Sequence, residues 1–329
     1  MIMGRNAMRI VRTALFGFTL ACAAFGAAAQ DAWPSRPGKV VVPYPAGGAT
    51  DVMGRFAADA LSQATNQRFI TENKGGASGA IGSADVEKAA PDGHSLLIAT
   101  PATHVTNQYL RDKLIYNPDN FAPVILLSRS PLLLIAHPSL KANSVAELVA
   151  LAKAAPGKLN YGSSGAGATS HLAPELFKAM AGVDITHVPY RGAGPAMTDL
   201  IGGQVELMFD NLQTALPQIE GGKVKVLGVT SAERLAGLPN VPAIAETVKG
   251  YEALSFLALM APKGTPPAIL DKANGIIRTA FQAPDIRSRL AALGVDFAPS
   301  TPDELDRFIA QERLKWGALI KDRGLKADQ

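Results

Sequence analysis

One cysteine stands in the 329-residue chain, Cys22, and it lies within the first 29 residues. Those residues read as a secretory signal peptide. Arg5, Arg9 and Arg12 form a basic start, residues 13–25 are uncharged and apolar, and Ala27-Ala28-Ala29 supplies small residues for cleavage before Gln30. Cleavage after Ala29 leaves no thiol, which excludes a disulfide framework and a cysteine metal site. An uncleaved anchor is the competing reading, but the segment is short and no second apolar span follows. Lipid attachment at Cys22 is another, poorly matched by Thr19-Leu20-Ala21.

A basic stripe is also missing. Loss of the three leader arginines lowers the net charge from +4 to +1, so the basic pI says little about partners and nothing argues for nucleic acid. Repeats of short period and low-complexity segments are absent beyond the leader. No His-Glu-x-x-His spacing occurs among His94, His104, His137, His171 and His187, which read as structural. The run 76–82 is mis-spaced for a dinucleotide fingerprint, no Walker lysine follows a glycine loop, and no G-x-S-x-G elbow exists. A hydrolytic triad therefore has no anchor, and neither catalytic residue, cofactor nor metal is expected.

What the chain has is two glycine loops, each set between a strand and a helix. The first is Val42-Pro43-Tyr44-Pro45-Ala46-Gly47-Gly48-Ala49-Thr50-Asp51, and the second is Tyr161-Gly162-Ser163-Ser164-Gly165-Ala166-Gly167-Ala168-Thr169. Free backbone N–H groups beside the positive end of a helix dipole bind anions. Two such loops suggest two halves of one anion-binding cleft. Pro43 and Pro45 stiffen the approach to the first loop.

Apolar runs alternate with helical patterns. Strands are expected at 39–44, 68–73 and 95–100, and helices at 51–64, 78–89 and 103–111, with Val52, Phe56, Ala60 and Leu61 on one face of the first. An apolar segment follows at 124–127 and 132–136, split by Ser128-Arg129-Ser130-Pro131. The pattern restarts with strands at 159–161, 186–190, 205–209 and 224–230. Helices are expected at 170–180 and 195–201, with a short one from Leu212 broken near Pro217. A second apolar segment, 254–261, precedes two terminal helices, 268–282 and 301–321. These are two α/β blocks joined twice, with the C-terminal helices returning to the first.

At this point the residues resemble a known family, the extracytoplasmic solute receptors of tripartite tricarboxylate transporters, also called Bug receptors. The likeness is carried by the 43–51 loop, Glu72-Asn73-Lys74-Gly75-Gly76-Ala77-Ser78-Gly79, Asp92-Gly93-His94-Ser95-Leu96-Leu97, Leu159-Asn160-Tyr161-Gly162-Ser163-Ser164-Gly165, Val188-Pro189-Tyr190-Arg191-Gly192 and Met208-Phe209-Asp210-Asn211, in order along the chain. Lys74 stands where Arg is common, and Thr103-His104-Val105 also departs from the expected pattern.

The resemblance implies an α/β periplasmic binding protein of type II, with two hinged lobes joined by two crossover strands. Residues 30–131 with 256–329 would form lobe one and 132–255 lobe two. It implies a small carboxylate or related aromatic ligand, held between the lobes largely through backbone amides and bridging waters, and delivery to the permease subunits of a membrane transporter. A monomer in the periplasm is expected. The same chain could instead serve a membrane sensor, or, as a third class, be an exported hydrolase.

Carried onto this sequence, the ligand contacts are Tyr44, Ala46, Gly47, Gly48 and Asp51 in lobe one, and Ser163, Gly165 and Thr169 in lobe two. Asp51 reads equally well as a carboxylate that orders the loop amides. Thr100 and Thr103, at the C-terminal end of a strand, are further candidates, since ligands of open α/β sheets gather there. Ser78, Tyr190 and Asp210 complete the set, with helix capping the alternative for Ser78 and Thr169, and core packing for Tyr190. Arg191 could clamp a carboxylate or face solvent.

Overall fold

The computed structural model describes residues 33–47, 49–190, 192–292, 296–297 and 299–327. The leader, Gly48 and Arg191 lie outside the described residues. The chain begins with β1 (Gly38–Val42), α1 (Ala49–Thr65), β2 (Phe69–Asn73), α2 (Ala80–Glu87) and β3 (Ser95–Ala99). A π-helical turn, Ala102–Thr106, leads into α3 (Asn107–Leu110), then β4 (Phe121–Ala136). Next come α4 (Val145–Ala154), β5 (Asn160–Ser163), α5 (Thr169–Ala181), β6 (Thr186–Pro189), α6 (Ala193–Ile201) and β7 (Leu207–Asn211). The chain ends with α7 (Leu212–Glu220), β8 (Lys225–Val229), α8 (Ile244–Thr247), β9 (Leu254–Pro262), α9 (Pro267–Phe281), α10 (Pro284–Ala292), β10 (Asp296–Phe297) and α11 (Pro302–Arg323).

The strands run in the order β2-β1-β3-β9-β4-β7-β5-β6. β1, β2 and β3 are parallel, and so are β5, β6 and β7. Each parallel set is built from the strand–helix units that the sequence shows. β4 belongs to both halves. Its residues up to Pro131 pair antiparallel with β9, and from Leu132 onward they pair with β7 and β8. The handover falls at a proline, which has no N–H to give a ladder.

β4 corrects one expectation. The polar stretch Ser128–Pro131 does not split the apolar segment but continues the strand. Ser128 to Pro131 pair with β9, Ser128 and Arg129 also pair with β10, and the Arg129 guanidinium lies 5.4 Å from the Phe308 ring centre. Pairing on both sides satisfies the backbone there. Pro217 likewise does not break its helix, which runs on to Glu220. A proline removes one intrahelical bond, and here the rest of a short helix tolerates it. The helix expected from Ser78 starts at Ala80, because Ala77 and Ser78 hold left-handed φ angles of 48° and 53°. Sequence reasoning missed α4, α8, α10 and β10.

α1 buries Met53, Ala57 and Leu61 completely, while Val52 is only half-buried. Contact with β1 is close because residue 54 is glycine: a Cβ there would sit 2.4 Å from Val42 Cγ2. Two clusters of buried side chains lie on the outer faces of the two halves. A third is continuous from Leu97 of β3 through Leu172 and Phe177 of α5 to Trp316 of α11. No helix among the described residues is long and apolar enough to cross a membrane.

Candidate functional site

The carboxyl ends of β1, β3, β5 and β7 point toward one place, where the two halves meet. A cavity of about 180 Å³ lies there. Tyr44, Thr50, Thr100, Pro101 and Ala102 line it from the first half, and Ser164, Ala168, Thr169, Ser170, Asp210 and Asn211 from the second. Leu132 of β4 with Ser255 and Leu257 of β9 line it from the connecting strands. A larger groove, of about 810 Å³, runs along α11 past Tyr109 and Leu314, with no described glycine-loop residue in its lining.

Helix starts converge on the cavity. Thr50 is in the first turn of α1, Pro101 and Ala102 open the π-helical turn, Thr169 and Ser170 open α5, and Asn211 precedes α7. Amides at helix starts favour negative charge. The side-chain polarity is almost all hydroxyl and amide. The Tyr44 hydroxyl lies 3.2 Å from Thr100 Oγ1, and Ser170 Oγ accepts the Ser164 amide at 3.0 Å while lying 2.8 Å from Ser164 Oγ. Burial raises the Tyr44 phenol above its ordinary value, so it stays neutral. No described Lys, Arg or His lines the cavity.

Asp210 is the one carboxyl in the lining and is 1% exposed. Burial pushes it up to about 6, against hydrogen bonds from the Thr214 hydroxyl and the Asn211 amide.

Four of the expected contacts, Tyr44, Thr100, Thr169 and Asp210, therefore meet in one cavity. Gly48 lies outside the described residues, and the other expected contacts are placed elsewhere. Ala46 and Gly47 are exposed, and the Gly47 amide donates to Asp51 Oδ2 at 3.0 Å. Asp51 is buried and also accepts from Arg55 Nε at 3.1 Å and Asn73 Nδ2 at 3.0 Å, so it holds the loop rather than lining the cavity. Ser78 does not cap a helix; its Oγ accepts from Arg111 and its carbonyl from Asn107. The Thr103 hydroxyl accepts the Thr100 amide at 2.9 Å, which fixes Thr100.

In the second loop, Ser163 is fully buried, 2.7 Å from His187 Nε2, and accepts the Gly165 amide at 3.2 Å. The Gly167 amide donates to His171 Nδ1 at 3.1 Å. Burial pushes His171 down to about 4, which keeps that nitrogen an acceptor. Tyr190 donates to Asp199 Oδ2 at 2.8 Å and packs against the outer cluster of its half. The site thus differs from the sequence expectation in a consistent way. Several glycine-loop amides are bonded within their own loops, while hydroxyls at the next helix starts face the cavity. Ser170, Asn211 and Ser255 were missed.

Asp51 gives a first testable consequence. Burial opposes its ionisation, but the Gly47 amide, Arg55 and Asn73 outweigh that and hold its carboxyl below the usual aspartate range. A depressed carboxyl stabilises the fold above its unfolded value, about 3.9, and loses that contribution as pH falls below it. Asp51→Ala should cost about 2 kcal/mol at pH 7, on the scale of hydrogen bonds to a charged group. The deficit should shrink toward pH 3. Urea denaturation at both pH values checks this, and an equal deficit at both would refute the assignment.

The family description "Tripartite tricarboxylate transporter family receptor" matches residues 53–325. The chain belongs to that family. Three solved structures show how close the relationship is. The R. palustris protein Rpa4515 with adipate is 38% identical, with a TM-score of 0.81, over 89% of this chain and 99% of that one. The periplasmic binding protein BugD is 34% identical, with a TM-score of 0.77, over 90% and 100%. MatC from Rhodopseudomonas palustris, with bound malate, is 33% identical, with a TM-score of 0.74, over 88% and 100%. The protein is a solute receptor with a periplasmic binding protein fold, and receptors of this family are not enzymes.

Proposed function

We propose that this receptor captures a small organic carboxylate between two lobes, residues 30–131 with 256–329 and residues 132–255, and delivers it to a tripartite tricarboxylate-type permease. In this reading the leader, cut after Ala29, sends it to the periplasm. The observation that carries the reading is the cavity itself, where helix starts from both halves meet around hydroxyls with no described cationic side chain. Its volume, about 180 Å³, is below the 300–1,000 Å³ typical of drug-sized ligands, which supports a small solute. That relatives hold adipate and malate adds to this.

Closure supplies the mechanism. Each half offers only part of the lining, so the ligand gains its full set of contacts when the halves meet, and it favours the closed state by that difference. Calorimetric titration of refolded, ligand-free protein against di- and tricarboxylates, amino acids and aromatic acids tests the reading. A saturable one-to-one signal with a carboxylate is expected. Silence from folded protein across the panel would refute the carboxylate class.

A further inference from the structure

We propose that Asp210 takes up a proton together with the ligand, so that the receptor binds a dicarboxylate and H⁺ as a unit. The inference rests on the carboxylate reading above and specifies its chemistry. Asp210 is 1% exposed and lines the cavity, so a ligand held there sits against a carboxyl that has little contact with bulk solvent. A carboxylate anion beside an ionised, buried Asp210 would bring two like charges together in a poorly solvated space. Such pairs share one proton.

Among the described lining residues, no cation relieves the conflict. On α7, Thr214 donates its hydroxyl to Asp210 Oδ2, and Asn211 follows as a neutral amide. In the sheet Asp210 pairs with Leu133 of β4. Across the cavity, α5 presents Thr169 and Ser170, β9 presents Ser255 and α1 presents Thr50. The one other titratable group among the described lining residues is the Tyr44 phenol, neutral and hydrogen-bonded to Thr100. His171, on α5, is turned to the Gly167 amide and is neutral. A dicarboxylate such as adipate has no O–H of its own at neutral pH. The hydroxyls and helix-start amides of the cavity can donate to the ligand but leave the charge on Asp210 in place, whereas a proton on Asp210 removes that charge and turns the carboxyl into a donor. Solvent supplies the proton, Asp210 holds it, and the O–H donates to a ligand carboxylate oxygen. Ligand release returns the proton.

The two ligand classes then separate by pH dependence: a di-anionic acid binds together with a proton and loses affinity as pH rises, whereas an amino acid would not. An ammonium group would meet an ionised Asp210 and need no proton. The proposal differs in this from a simple anion clamp.

The test is titration calorimetry with adipate and with malate at pH 8, in HEPES and in Tris, whose ionisation heats differ. The expected result is uptake of about one proton per ligand, with Kd rising about tenfold per pH unit from pH 7 to pH 9. Asp210→Asn, checked for folding by circular dichroism, should abolish the uptake and flatten the pH dependence; Asp210→Ser is the second variant if the first does not fold. Binding without proton uptake overturns the proposal and leaves the carboxylate reading standing. Uptake that survives both substitutions places the proton elsewhere and also overturns it. If neither acid binds while an amino acid does, the proton proposal fails and Asp210 is a partner for ammonium. If no carboxylate binds, the underlying reading fails as well.

Discussion

Gly167→Val should weaken ligand binding by ten- to a hundredfold while both halves remain folded. Gly167 lies in the second glycine loop, and its carbonyl accepts the Thr106 hydroxyl of the first half at 3.1 Å. A Cβ at 167 would stand 2.6 Å from Leu110 Cδ1, also of the first half. The steric penalty therefore falls on the state in which the halves touch. Overpacking costs about 1–3 kcal/mol, and each 1.4 kcal/mol is tenfold in affinity. The φ of 81° at Gly167 adds about 1–2 kcal/mol to any other residue, but that strain is local to the loop and is present whether the halves are open or closed. The two effects separate in experiment. Leu110→Ala, made in the Gly167→Val background, should restore part of the affinity and none of the lost stability. Small-angle scattering should show the valine variant more extended at saturating ligand than the parent. An unchanged affinity would mean that the halves need not meet at Gly167 for the ligand to be held.

The parallel strand–helix units and both glycine loops were legible because periodicity and glycine placement are local properties. So were Tyr44, Thr100 and Asp210, which stand where strands end, and Thr169, which opens the helix after the second glycine loop; the ends of parallel strands gather at one edge. The sequence offered Asp51 as a carboxylate ordering its loop amides but concealed the orientation of the amides in the second loop. A glycine run announces backbone freedom, yet Gly47, Gly165 and Gly167 donate to Asp51, Ser163 and His171. Those acceptors stand two to four residues away, and only the turn's geometry brings them back. The crossover strands hid their contribution for another reason. Leu132, Ser255 and Leu257 sit in segments that read simply as apolar connections. Their part in the cavity exists only because β4 changes partners between Pro131 and Leu132.

The largest loss of stability is expected from Trp316→Ala, about 3–5 kcal/mol by the range for truncating buried aromatics. Its helix, α11, is well framed. Thr301 and Glu304 form a reciprocal cap at its start, and Gly324 closes it in a left-handed conformation. Propensity and capping therefore hold the helix itself, so the loss would come from tertiary packing. Trp316 is 2% exposed, and its indole N–H donates to Glu312 Oε2 at 2.7 Å. The side chain belongs to the buried cluster that runs from Leu97 to Leu172 and Phe177, on both sides of the crossover strands. A cavity opened there removes contacts shared by the two halves, and domains hold only about 5–15 kcal/mol in total. The second tryptophan makes the measurement direct. Trp33 lies in a different cluster, against Phe69 at 6.1 Å between ring centres, and remains as a fluorescent reporter when Trp316 is gone. Urea unfolding followed by Trp33 emission should show the midpoint displaced. Leu314→Ala, on the same helix at a side chain 76% exposed, should move it by no more than about 0.5 kcal/mol. A loss below about 1 kcal/mol for Trp316→Ala would mean that the cluster collapses onto the vacancy, and that α11 is held by its caps more than by its buried face.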